Sequence, residues 1–305
     1  MPLEISSGPH FRVKEDSRSI MLWVAIALLP AIAASVYFFG RNALVLIVFT
    51  TLVCVAAEAL FLRLAGQPVN DIFNGSAVVT GILLAMILPP GLPLWLAAIG
   101  AFIAIVVVKG LFGGLGFNIF NPALAARAML LASWPLAMTT WVRPFDAVTS
   151  ATPLYLVNKM HQAAPAYLDM FLGNRVGCLG ETSALALLLG AAVLYYKKII
   201  DWPTPVAYIG TVALLSLVLG HDPLFAVLSG GLLLGAFFMA TDYVTVPITG
   251  QGKFIFGLGC GLITVLIRYF GGFPEGVNYS ILFMNMLTPV IDKYSRPRVF
   301  GSRKT

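Results

Sequence analysis

Residues Ile20–Phe39, IMLWVAIALLPAIAASVYFF, form a run of 20 residues without a charge. At about 1.5 Å per residue, a helix of that length spans roughly the 30 Å hydrocarbon core of a bilayer. The preceding Met1–Ser19 stretch is polar and basic. The run ends on Tyr37-Phe38-Phe39 without a small-residue cleavage site, so it is expected to be a retained span rather than a leader.

Working outward, the same character recurs. Hydrophobic segments follow at Ala43–Leu64, Asn74–Leu88, Leu92–Val108, Phe120–Ala132, Thr182–Tyr196, Thr204–Leu219, Leu224–Thr241, Phe254–Phe270 and Tyr279–Ile291, which makes ten in all. The chain is 59% hydrophobic and 10% charged, with a mean hydropathy of +0.91. Soluble domains carry about a quarter charged residues, so too few are present to cover a watery surface. Long apolar runs predict an all-α polytopic membrane protein; a β-barrel would show short alternating segments. Several segments fall short of a full span, most clearly Phe120–Ala132, and short Pro-flanked segments predict broken helices around an internal site.

The net charge of +6 reports topology here. With the N-terminus placed in the cytoplasm, thirteen Lys and Arg, among them Arg18, Arg63, Lys109, Lys197, Lys198 and Lys253, fall on that side. Four (Arg41, Arg143, Lys159 and Arg175) fall on the other, with Arg268 near the boundary and Arg127 within a span. This bias predicts cytoplasmic termini and a periplasmic Ser133–Glu181 loop. No basic stripe interleaved with aromatics is present, so nucleic acid is not an expected partner; the lipid bilayer is. Cys54, Cys178 and Cys260 are far apart and suggest neither a disulfide framework nor a metal site.

The halves resemble one another. Asp71–Leu84 is similar to Asp222–Leu234, and Phe117-Asn118 through Asn121-Pro122 to Val277-Asn278 through Thr288-Pro289. About five spans per half would invert the second copy. The expected layout is a tail over 1–19, one transmembrane domain over 20–294 and a tail over 295–305. Within the domain, a first repeat covers about 20–132, a loop about 133–181 and a second repeat about 182–294.

The loop holds Asp146-Ala-Val-Thr149-Ser150-Ala151-Thr152-Pro153. Proline biases Thr152 towards an extended backbone, and an extended segment with a small neighbour can enter another enzyme's cleft. The pattern Asp-x-x-Ser/Thr-x-Ala-Thr resembles the flavinylation signature of the RnfD and NqrB subunits of ion-translocating oxidoreductases. Asp146, Thr149, Ser150 and Ala151 match the pattern, and Thr152 matches the acceptor. Ser7–His10, Phe117–Arg127, Asn285–Asp292 and Arg296–Gly301 resemble further family segments, and the lack of a long N-terminal extension favours RnfD over NqrB.

The resemblance implies a urea-channel-like fold of two inverted five-helix repeats in the inner membrane. It implies an FMN joined to Thr152 as a phosphoester by a flavin transferase, and it leaves open a second, non-covalent flavin. It implies partner subunits of an Rnf-type complex, including a second covalent-FMN subunit, and electron relay between NADH and ferredoxin coupled to Na+ or H+ movement. No glycine-rich dinucleotide fingerprint occurs, so NADH is expected on another subunit.

Among the other polar residues, Arg127 is read as a cationic contact to flavin or as a partner of Glu58 or backbone carbonyls. It is placed about two helical turns from the loop. Glu58 is a candidate for the ion path, and Asp242 for an interfacial loop. Asn118, Asn121, Asn278 and Asn285 would bond a flavin ring or cap half-helices, capping being the simpler role. The competing class is a small-solute channel or transporter, because inverted repeats with broken helices suit one equally well; a third reading is a scaffold with a vestigial motif.

Overall fold

The computed structural model describes residues 16–145, 148–160, 163–271 and 276–296. The first apolar run becomes α1 (Ser17–Phe39), which accommodates Pro30 inside it. Gly40 alone, at φ +65°, turns the chain into the antiparallel α2 (Arg41–Leu64). A one-residue reversal needs this left-handed conformation, which glycine adopts without steric cost.

A 3₁₀ turn (Val69–Asn74) and left-handed Gly75 lead into α3 (Ser76–Met86). It lies against α2 so closely that a Cβ on Gly81 would come within 2.6 Å of the Thr51 Cα. Pro89 and Pro90 follow its end. Then α4 (Leu94–Phe102) continues as a π-helix over Ile103–Gly110. Asn121 caps α5 (Pro122–Ser133), whose 12 residues reach only about 18 Å.

The connecting segment carries short helices, α6 (Pro135–Thr139), α7 (Pro153–Asn158) and α8 (Tyr167–Leu172), and a 3₁₀ turn at Leu179–Glu181. The second half follows with α9 (Ala184–Tyr196), α10 (Pro203–Val218), α11 (Pro223–Leu228) and α12 (Leu232–Leu234), the last running into a π-helix over Gly235–Met239. It closes with α13 (Gly250–Phe270) and α14 (Val277–Ser295).

The segment read as one span, Leu224–Thr241, is therefore divided. Ser229-Gly230-Gly231 interrupts it, with Gly230 at φ +62°. Among the described residues three helices, α1, α2 and α13, are long and apolar enough to cross a bilayer alone. Leu22, Leu52 and Leu214 stay about 60% exposed on long helices (60%, 63% and 61%). Such outward apolar side chains belong against lipid, where helices satisfy their own backbone polar groups. With no hydrophobic drive between helices in lipid, small residues set the contacts. In the α10–α13 pair, a Cβ on Gly257 would lie 2.6 Å from the Thr204 carbonyl oxygen, and one on Gly261 2.5 Å from Thr211 Cβ.

Candidate functional site

The structure gathers its buried charged groups into two layers at opposite ends of the helices. The first lies beneath the Thr152 segment. Val142 and Thr149 form an antiparallel bridge, flanked by Arg143 N–H to Val148 O (2.9 Å) and Ser150 N–H to Trp141 O (2.9 Å). This narrow hairpin is anchored to the end of α1, where Phe145 donates to the Phe38 carbonyl at 3.1 Å and its ring meets Tyr37 and Phe38. Thr149 is exposed, Ser150 and Ala151 are partly buried, and Asp146 lies outside the described residues.

Thr152 has the extended backbone that Pro153 demands, φ −68° and ψ 153°. It is the N-cap of α7, with Oγ1 accepting the Tyr155 N–H at 3.4 Å, and only 4% of it is exposed. The segment is thus extended as expected, but the hydroxyl is folded inward. Leu154 presses on Gly230 in the break between α11 and α12, and Lys159 donates to the Gly271 carbonyl at 3.0 Å, fixing the far end of α7.

Two guanidinium groups hold the end of the broken helix. Arg268 donates to the carbonyls of Ala226 (2.7 Å) and Ser229 (3.1 Å), and Arg175 to those of Leu228 and Glu181. A helix C-terminus buried in apolar surroundings needs such donors for its unpaired carbonyls, and a positive charge suits its dipole. Burial pushes the Arg175 guanidinium down to about 10 and the Arg268 charge adds to the fall, while the Glu181 carboxylate opposes it; Arg175 stays protonated at neutral pH. Arg127, buried on α5, reaches this layer directly, donating to Cys178 Sγ at 3.3 Å. Along α5 Arg127 lies just under two turns from the helix end at Ser133, and it meets Cys178 because the residues around that thiol fold back among the helices.

The second layer corrects two readings. Glu58 pairs with Lys109, not with Arg127, and Lys109 is not a surface charge but a buried one that also donates to Ser76 Oγ. Lys109 lies on the π-helix, whose wider winding turns its side chain inward, whereas the charge count sets it among the cytoplasmic-side residues. Arg175 is likewise buried, held by the carbonyls of Leu228 and Glu181, and is not a surface charge either.

Beside this pair lies a cavity of about 90 Å³, lined among others by Ser76, Thr80, Lys109, Asn118, Asn121 and Asp242. Asn121 Oδ1 accepts the N–H groups of Ala123 (3.1 Å) and Leu124 (3.3 Å), the capping role, while Asn118 donates to the Phe120 carbonyl at 3.0 Å. The Asn285 amide, oriented to satisfy both its ends, accepts from Asn121 N–H at 3.1 Å and donates to the Thr245 and Ile281 carbonyls at 3.2 Å each. Two of the asparagines picked out by the internal similarity are thereby joined. Asn278 is 3% exposed, and neither side-chain atom has a partner among the described residues. The Asp242 carboxyl is held above the usual carboxylate range by burial, against hydrogen bonds from the Val244 and Tyr243 backbone and the Thr245 hydroxyl. Cys54, Cys178 and Cys260 are buried thiols, none joined to another in a disulfide.

Sequence reasoning missed Lys109, Arg175 and Arg268 as interior groups. The available signals were Lys109, set between Val106-Val107-Val108 and Gly110-Leu111-Phe112, and Arg268, set inside the apolar run Phe254–Phe270.

Broken helices and buried charged layers inside a bundle with an outward apolar surface define a polytopic helical membrane protein. The family model of the NQR2, RnfD, RnfE family matches residues 4–301, and the chain belongs to that family. It is 49% identical to the D subunit of the Na(+)-translocating ferredoxin:NAD(+) oxidoreductase complex of Acetobacterium woodii, over 99% of this chain and 96% of that protein. It is 47% identical to the D subunit of the proton-translocating ferredoxin:NAD(+) oxidoreductase complex of Clostridium ljungdahlii, over 98% and 96%. Against the D subunit of the ion-translocating oxidoreductase complex of Stutzerimonas stutzeri the identity is 42%, over 95% and 93%.

Proposed function

We propose that this chain is the D subunit of an ion-translocating ferredoxin:NAD+ oxidoreductase complex and relays electrons through an FMN esterified to Thr152. The observation that carries the reading is the run Thr149-Ser150-Ala151-Thr152, with Asp146 before it, in the one long segment between the halves of a family member. Relatives named as oxidoreductase subunits, at up to 49% identity over nearly full length, weigh against the solute-channel and vestigial-scaffold alternatives.

The residues around Thr152 fit a phosphoester chemically. The backbone before Pro153 is extended, the Tyr155 N–H points at the threonine oxygen, and Tyr155, Phe145 and Val148 are exposed apolar residues of the same segment. When bound, the flavin supplies one- or two-electron chemistry. The chain's own part is to hold the ester against the α11–α12 break. Arg268, Arg175 and Arg127 lie inward of it and favour negative charge there. In the transfer, the Thr152 Oγ–phosphorus bond forms, the pyrophosphate bond of FAD breaks, AMP leaves, and the hydroxyl proton passes to the flavin transferase. Because Oγ1 is buried, the Thr152–Asn158 turn must open for this transfer or form after it.

Other parts of the reading have their own supports. Ten helical segments in two inverted repeats are supported by the similarity of Asp71–Leu84 to Asp222–Leu234, each leading into a buried helix, and by the Asn121–Asn285 contact. A periplasmic Thr152 segment with cytoplasmic termini in an inner membrane follows the lysine and arginine bias. A second, non-covalent flavin would need the cavity of about 90 Å³ at Asn118 and Asn121 to widen before a ring system could enter. Glu58, with Lys109, is the candidate for the ion path; relatives are named for both Na+ and protons. Other complex subunits, including a second one bearing covalent FMN, are the partners.

Intact mass spectrometry of the denatured chain, made with its flavin transferase, tests the central claim. FMN mass is expected on the wild type and absent from Thr152→Val. An adduct kept by the Val variant would refute the site.

A further inference from the structure

A groove of about 1180 Å³ opens on the side of the bundle between α9 and the start of α13, at the end of the helices opposite Thr152. Its wall is apolar, formed by Leu188, Ala191 and Ala192 on α9 with Phe237 facing them. Leu188 and Tyr195 both line it and are seven residues apart, so the slot runs about 10 Å along the helix. Its mouth is different in character. Tyr195 and Trp202 stand there with ring centroids 4.3 Å apart, both substantially exposed, beside Lys198 and the ion pair of Lys253 with Asp201.

Lys198 is set there by an unusual backbone. α9 ends with Ile199 N–H bonded to the Leu194 carbonyl (2.9 Å) and Lys198 N–H to the Tyr195 carbonyl (2.8 Å). This closure calls for a left-handed residue and usually takes glycine, yet Lys198 occupies it at φ +55°. The Tyr243 hydroxyl donates to the Ile199 carbonyl and pins the turn. Neighbouring Lys197 is turned away, its ammonium 4.0 Å from the Trp23 ring centroid. Lys253 is engaged by Asp201, whereas Lys198 is exposed and has no ion-pair partner among the described residues, so the mouth carries a net positive charge.

We infer that this groove binds an anionic phospholipid, one acyl chain lying along α9 and the phosphate meeting Lys198, with Tyr195 and Trp202 at headgroup level. An apolar slot of membrane depth that ends in aromatic rings and a lysine matches the layering of a lipid molecule. The positive mouth favours an anionic over a zwitterionic headgroup. A soluble phosphate compound would leave the slot without an occupant of matching polarity.

Native mass spectrometry of the full chain, purified from membranes in mild detergent and offered phosphatidylglycerol or phosphatidylcholine, is the test. Preferential retention of phosphatidylglycerol is expected. Lys198→Gly should weaken it about fivefold, the worth of one lysine near a lipid surface, while the thermal midpoint holds or rises because glycine accepts the left-handed backbone. Lys198→Arg should retain the lipid, and Ala192→Trp, which fills the slot, should reduce binding of both lipids. Unchanged phosphatidylglycerol retention in the glycine variant overturns the inference. So does displacement of the lipid by inorganic phosphate alone, or a photocrosslinker at position 192 that captures a protein subunit rather than lipid in the assembled complex.

Discussion

Removing the Lys109 ammonium should cost this protein more than removing both members of its ion pair. Glu58 and Lys109 are both buried, and Glu58 Oε2 has no hydrogen-bond partner among the described residues, so the lysine is the main compensation for that carboxylate. At a separation of about 3 Å and an effective dielectric of about 20, their attraction is about 5 kcal/mol. Desolvation of both groups takes back most of that sum, so the intact pair contributes little net stability. Breaking it strands one charge and costs about 3–5 kcal/mol. Lys109→Met should therefore lose about 3–5 kcal/mol, and Glu58→Gln a comparable amount, since it leaves the ammonium with Ser76 Oγ alone. The double variant Glu58→Gln/Lys109→Met should recover most of the loss and sit within about 1–2 kcal/mol of wild type. The assay is a double-mutant cycle on the detergent-purified full chain, using denaturant or thermal unfolding followed by size-exclusion yield. If the double variant shows the sum of the two single losses, the residues are not coupled and the reasoning fails.

A cysteine at exposed Ala164 should react with a membrane-impermeant maleimide in cells with a permeabilised outer membrane; labelling only in inverted vesicles would reverse the topology. Arg127→Gln should leave covalent flavin content normal but lower the flavin potential, since one charge at about 10 Å and an effective dielectric of about 20 is worth roughly 1.7 kcal/mol, or about 70 mV for one electron; redox titration showing no shift together with poor expression would favour a structural role beside Cys178. Gly257→Val should destabilise the α10–α13 pair by at least about 1–3 kcal/mol, read as a lost folded yield, because the new Cβ meets the Thr204 backbone. Asp242 titrates higher folded than unfolded, so wild-type stability should decline as pH rises from the ordinary aspartate range through the raised value; Asp242→Asn should flatten that slope in thermal melts, and an unaltered slope would assign it to other groups.

The long apolar runs, the glycines and prolines that break them and the Asp146–Thr152 pattern are local features, and each could be read from adjacent residues. The helices at Ser17–Phe39, Arg41–Leu64 and Gly250–Phe270 follow from length and apolarity alone, because in lipid a chain has no other way to satisfy its backbone there. Asn121 as a cap was equally legible, since an asparagine before a proline at the first helical position suits only that geometry. Folding, by contrast, settled which charges face inward and whom they meet. Lys109 entered the interior through a π-turn, a backbone choice that no period in the sequence announces. Glu58 met Lys109 across 51 residues, Arg127 met Cys178 across the same separation, and Arg268 met the carbonyls of a helix 39 and 42 residues earlier. Thr152 was found by its neighbours in the chain, but its burial against the break at Gly230 was not. Spans and the matching threonine are legible along the chain because hydrophobic length and motif are properties of contiguous residues; the pairing of buried charges is a property of packing between distant helices, and it exists only once those helices have met.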